Sequence, residues 1–68
     1  MRSYSVHGVD YEGTEVYVTT VYSAQEGIAA HADLLNSPYA RMRVYDCLGG
    51  VAIDRDLVSD RESATVGG

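Results

Sequence analysis

The sequence predicts an α+β domain in which one helix packs on one face of a small, mainly antiparallel sheet. Three observations predict it. Two stretches, 3–9 and 14–22, alternate along the chain on either side of a tight turn. A stretch with a serine cap and apolar residues at helical spacing follows them. Two more alternating stretches, 40–46 and 51–54, flank a glycine-rich turn. Alternation sends successive side chains to opposite faces of a sheet, whereas spacings of three and four keep them on one stripe of a helix. The expected order is therefore β-β-α-β-β, a single layer of helix over a single sheet.

In the first strand, SYSVHGV (3–9), Tyr4 and Val6 point one way and Ser3, Ser5 and His7 the other. The turn DYEG has Asp10 in the first position and Gly13 in the fourth, a type I pattern. The second strand, TEVYVTTVY (14–22), is rich in Thr, Val and Tyr, residues that suit a pleated, half-buried surface. Regular alternation there puts Val16, Val18, Thr20 and Tyr22 on one face and Glu15, Tyr17, Thr19 and Val21 on the other. Strand, tight turn and strand make a hairpin.

The helix starts at Ser23, with Glu26 three residues on completing a capping box. Ala24, Ile28, Ala32 and Leu35 then form the expected buried stripe. Asn36-Ser37-Pro38 ends the helix, because the residue before a proline avoids the α region. Gly27 lowers helix propensity by about 1 kcal/mol relative to alanine, so close packing against the sheet is its expected use. In ARMRVYD (40–46), Ala40, Met42 and Val44 face inward and Arg41, Arg43 and Tyr45 outward. CLGG turns the chain, and Val51 and Ile53 return to the inner face. The expected domain covers 1–58, and 59–68 is expected to be a polar, mobile tail.

A chain of 68 residues makes one small domain, which buries only about 60% of its unfolded surface. Cys47 is its only cysteine, so no internal disulfide stabilises it. Ten acidic residues face five arginines, giving a net charge of −5. That sign opposes nucleic-acid binding, where neutralised phosphates supply most of the affinity, and favours a protein partner with a basic surface. Without a signal segment or an apolar span, a cytoplasmic protein with no membrane contact is expected. His7 and His31 stand at no metal-ligand spacing, and Cys47 has no base fixed beside it in sequence. Neither a metal, a cofactor nor enzymatic activity is expected, since so short a chain seldom encloses a pocket that excludes water.

The expected outer face carries His7, Glu15, Tyr17, Thr19, Arg41, Arg43 and Tyr45. Tyrosine and arginine are enriched where proteins bind one another. Acidic residues gather at the first hairpin (Asp10, Glu12, Glu15) and from the second hairpin onward (Asp46, Asp54, Asp56, Asp60, Glu62). The candidate partner-binding set is Asp10, Glu12, Glu15, Tyr17, Arg43, Tyr45, Asp54 and Asp56.

Small size, acidic charge, a serine-capped helix after a hairpin, and then RMRVYD with a glycine turn give this chain a layout that resembles the small phage- and mobile-element-encoded accessory proteins of the anti-CRISPR type. The resemblance implies an inhibitor or regulator that covers the nucleic-acid-binding surface of a larger complex. The chain also ends in Gly67-Gly68 after strand pairs that flank a helix. In this it resembles the β-grasp carriers, ubiquitin-like proteins and bacterial sulfur carriers, which implies activation of the terminal carboxylate. Those carriers run an apolar last strand into the tail, where this chain has the polar SDRESATV. A third expectation is a homodimeric structural module, with a melting temperature that depends on concentration.

Overall fold

The computed structural model describes residues 2–66 of the chain. Their elements are β1 (Tyr4–Val9), β2 (Glu15–Val21), α1 (Ala24–Leu35), β3 (Arg41–Tyr45), β4 (Val51–Asp56) and α2 (Leu57–Val66). The β-β-α-β-β order of an α+β domain is present, and a second helix follows it. The four strands form one sheet in the order β2-β1-β3-β4, with every neighbouring pair antiparallel. β1 and β3 are central; β2 and β4 are the edges.

Both hairpins use the same turn. Asp10 Oδ1 accepts from the amides of Glu12 and Thr14 at 2.9 Å each. Asp46 Oδ1 accepts from those of Leu48 and Gly50, also at 2.9 Å each. In each case the glycine three residues after the aspartate takes a positive φ, 92° at Gly13 and 85° at Gly49, which an L side chain rarely adopts. DYEG and DCLG are thus two copies of one Asp-x-x-Gly device, the aspartate standing in for a backbone acceptor.

Two bulges change which side chains share a face. Val6 pairs with Thr19 but His7 pairs with Tyr17, so Val18 is left over in β2. Val44 pairs with Ile53 but Tyr45 pairs with Val51, so Ala52 is left over in β4. Residues directly opposite in an antiparallel pair share a face. Thr19 therefore lies on the inner side with Val6, not on the outer face that regular alternation gives it, and Val16 joins it there opposite Gly8. Thr20 crosses to the outer side opposite Ser5. Val51 lies on the outer side opposite Tyr45, which corrects the expected inward pair of Val51 and Ile53.

Ser23 caps α1, accepting from the Glu26 amide at 3.2 Å. Glu26 reaches back to the amide of Tyr22, one residue before the cap. The buried residues of α1 are Ala30 and Leu34, whereas Ile28 is 69% exposed. Of the expected stripe of Ala24, Ile28, Ala32 and Leu35, only Leu35 packs against the core; the other three are exposed. The inner face is shared between two helices, which turns α1 toward Val6 and Val21 and leaves room beside it for Leu57. The core is Val6, Val21, Ala30, Leu34, Met42, Val44 and Leu57, with Tyr4, Leu35 and Tyr39 against it. The close approach expected at Gly27 occurs at Gly8 instead. A Cβ on Gly27 would meet nothing within 4 Å, but one on Gly8 would fall 2.6 Å from the ring of Tyr39.

The polar stretch expected as a mobile tail over 59–68 is helical through its described part. Asp56 Oδ1 accepts from the amides of Val58 and Ser59 and so caps α2. Leu57 at its start is 0% exposed. The Arg61 guanidinium donates to the carbonyls of Leu34, Leu35, Ser37 and Tyr39, between 2.7 and 3.0 Å. Leu57, Arg61 and Asp60, the last bonded to His31 of α1, therefore dock a helix whose sequence is largely polar. Gly67 and Gly68 lie outside the described residues. No described helix is long and apolar enough to cross a membrane.

Candidate functional site

Both helices bury their side chains against the inner face of the sheet. No described helix covers the opposite face. Alternation turns His7, Tyr17, Arg41, Arg43, Tyr45 and Asp54 toward that open side, and the bulge in β2 brings Thr20 to it.

These side chains hold one another in place. Glu15, at the start of β2, sits at the centre. Its Oε1 accepts from Arg43 Nη1 at 2.9 Å, and its Oε2 accepts from the Tyr45 hydroxyl at 2.7 Å. His7 Nδ1 lies 3.4 Å from the same Oε2. On the other side Arg43 Nε lies 3.6 Å from Asp54 Oδ2, and Arg41 Nη1 donates to Asp54 Oδ1 at 2.6 Å. The chain Glu15–Arg43–Asp54–Arg41 thus runs from one edge strand to the other.

The aromatic rings are ordered as well. His7 stands edge-on to Tyr45, with centroids 4.9 Å apart and planes at 83°, and edge-on to Tyr17 at 5.8 Å and 78°. Such T-shaped pairs set a ring's edge against its neighbour's negative face. The Tyr17 hydroxyl meets Thr20 Oγ1 at 2.7 Å. In a regular strand, residues three apart lie on opposite faces; the bulge at Val18 is what allows this bond.

The Asp54 carboxyl is held below its ordinary pKa, chiefly by the hydrogen bond from Arg41. Two arginines balance two carboxylates across this face, so it is polar rather than acidic. Exposed ion pairs of this kind contribute about 0–1 kcal/mol each to stability. They also hold long side chains in one arrangement.

Of the candidate residues read from the sequence, the structure brings together Glu15, Tyr17, Arg43, Tyr45 and Asp54. It adds His7 and Arg41, which alternation had placed on the outer face but which were not among the candidates. It does not bring Asp10, Glu12 and Asp56 into the cluster. The Asp10 carboxylate closes the first turn, the Asp56 carboxylate caps α2, and Glu12 is exposed beyond the end of the sheet. The acidic surface expected from those residues is therefore partly structural scaffolding.

The helix side carries a different feature, an open apolar groove of about 470 Å³ between α1 and β4, lined among others by Ala24, Ile28, Ala52 and Ile53. Its polar end holds Arg55 and His31, both bonded to Asp60. Among the described residues, no group of three or more His, Cys, Asp or Glu could hold a metal ion. Cys47 is exposed in the second turn.

The chain matches no family model, no curated protein and no solved structure. What the site does must follow from its own chemistry.

Proposed function

We propose that this protein is a small inhibitor or regulator that binds another protein through the open face of its sheet. The observation that carries the proposal is the uncovered network of His7, Glu15, Tyr17, Arg43 and Tyr45, ordered by mutual contacts across the strands. Tyrosine and arginine in a desolvated patch are the usual energetic centres of protein interfaces. The net charge of −5 steers the encounter toward a basic partner. A larger complex that handles nucleic acid, the target class of the anti-CRISPR-type proteins, offers such a surface. The mechanism is occlusion, and it needs no cofactor and no bond-making step.

The carrier alternative finds less support. Carriers run a strand into their terminal glycines, whereas the last described element here is the helix α2.

The test is capture with an N-terminal tag, which leaves the C-terminus free, from lysate of the native host. The chain is compared with a Tyr17→Ala/Tyr45→Ala variant and with Ile28→Ala on the opposite face. The proposal expects a partner retained by the parent chain and by Ile28→Ala but lost by the double variant. Equal retention by all three contradicts it. Recovery of an adenylating enzyme, or of the chain modified at Gly68, supports the carrier alternative instead.

A further inference from the structure

β2 is an edge strand whose outer side pairs with no other element. Its ladder partner is β1, and no backbone group of Glu15–Val21 bonds elsewhere among the described residues. In an antiparallel pair, alternate residues turn their N–H and C=O groups away from the partner, so β2 presents a row of them to solvent. Natural edges are usually blunted by charge. β4, the other edge, follows that rule with Asp54, Arg55 and Asp56 in succession. β2 does not: Val16-Tyr17-Val18-Thr19-Thr20-Val21 is uncharged and entirely β-branched or aromatic. Val16, Tyr17 and Val18 are all exposed.

The chain segment that forms this edge carries charges of one sign. From residue 10 to residue 26, through the first turn, β2 and the first turn of α1, the chain carries Asp10, Glu12, Glu15 and Glu26 and no Arg, Lys or His. Asp10 and Glu12 stand before the strand, and Glu26 sits just past its end, bonded to the Tyr22 amide. Glu15 is offset by Arg43, but the other three carboxylates have no cation beside them in this segment. A second copy of the chain would bring the same acidic flanks. A strand with basic residues at its ends would complement them.

We infer that the β2 edge is a docking site for an extended, basic segment of a partner protein, which adds as a fifth strand beside Glu15–Val18. Main-chain hydrogen bonds supply the affinity and the acidic flanks select the charge. The bulge at Val18 confines the regular ladder to short pieces on either side of it, which limits run-on self-pairing. The inference rests on the protein-binding reading but uses the edge of the sheet rather than its open face.

The probe is a short acetylated and amidated peptide of alternating valine and threonine with arginines at both ends, titrated into the full chain. Amide hydrogen exchange and affinity are both read. The expected result is slowed exchange of amides in Glu15–Val18 and salt-sensitive binding. Affinity should fall about tenfold or more when alternate peptide amides are N-methylated, a loss of about 1.4 kcal/mol. A Val51→Ala variant, on the open face at the far edge of the sheet, should bind the peptide as the parent does, which separates this site from the open face. Equal binding by the N-methylated peptide overturns the inference, because charge alone would then account for it. Equal binding by a glutamate-ended peptide overturns the charge selection. Loss of peptide binding in Val51→Ala places the peptide on the open face and overturns the edge site. Protection of β2 amides at high protein concentration without peptide makes the occupant a second copy and overturns the basic-partner inference.

Discussion

The Tyr45 hydroxyl donates to the Glu15 carboxylate at 2.7 Å although β1 lies between their strands. The two side chains reach over His7, which stands edge-on to the tyrosine ring. A bond that spans a whole strand orients both groups from outside their own ladders. Glu15→Ala removes the acceptor shared by Tyr45, Arg43 and His7. The site is solvated, so the expected loss of stability is no more than about 1 kcal/mol. Partner affinity should fall further than stability does, because three interface side chains lose their preset geometry. Thermal unfolding and partner affinity of the variant check the two halves. A variant that unfolds would show the network to be structural instead.

Gly8 makes a second prediction. Gly8→Ala puts a methyl 2.6 Å from the Tyr39 ring, closer than real Cβ atoms come. The ring is packed against the core and has to move. Overpacking of this kind costs about 1–3 kcal/mol. Denaturant unfolding should show that loss, and a smaller one when Gly8→Ala is made in a Tyr39→Leu background.

Much of this was legible in the sequence, and the misses have specific causes. The hairpins, the Ser23 cap and the outward set of His7, Arg43 and Tyr45 follow from alternation and cap chemistry alone. The face assignments of Thr19 and Val51 do not, because a bulge adds one residue to one strand and leaves no mark in the pattern of Val and Thr. Ile28 reads as core until a second helix shares the inner face with α1. That helix is hidden in the sequence because it is largely polar, its one fully buried apolar residue being Leu57. Its cap, Asp56, looks like surface charge in the sequence. In the site, Glu15, Tyr17, Arg43, Tyr45 and Asp54 were found by residue type. His7 and Arg41 were passed over because lone histidines and paired arginines look ordinary until their neighbours across the sheet are known.

Arg61 carries the third prediction. Its guanidinium satisfies carbonyls at the end of α1 and in the loop beyond, so it ties α2 to α1 and to the approach to β3. Arg61→Ala leaves those half-buried carbonyls to find water and should cost about 1–3 kcal/mol. Arg61→Lys should recover only part of it, since a point charge cannot reproduce the planar fork. Urea unfolding of both variants is the check; full recovery with lysine would contradict the forked geometry.

The fourth prediction is a pH dependence. Asp60 accepts from His31 Nε2 at 2.9 Å and from Arg55 at 3.2 Å. The His31 bond first, and the Arg55 bond second, hold its carboxyl below the ordinary range. A depressed carboxylate pKa means that the folded state binds the proton less readily than the unfolded state. Its contribution is present at neutral pH, begins to fade at about pH 4, the unfolded value, and is lost as the pH falls through the folded one. The stability gap between the parent chain and Asp60→Asn should therefore narrow as the pH falls below about 4. A gap that does not change with pH would assign the difference to packing.

The open sheet face as the binding surface is tested most directly by hydroxyl-radical footprinting of the tyrosines, with and without the captured partner. Tyr17 is 57% exposed on that face, whereas Tyr11, 70% exposed, sits in the turn beyond it and Tyr22, 54% exposed, sits past the end of β2. The expected result is that the partner protects Tyr17 and Tyr45 and leaves Tyr11 open to oxidation. Protection of Tyr11 and Tyr22 with Tyr17 and Tyr45 unchanged would contradict it.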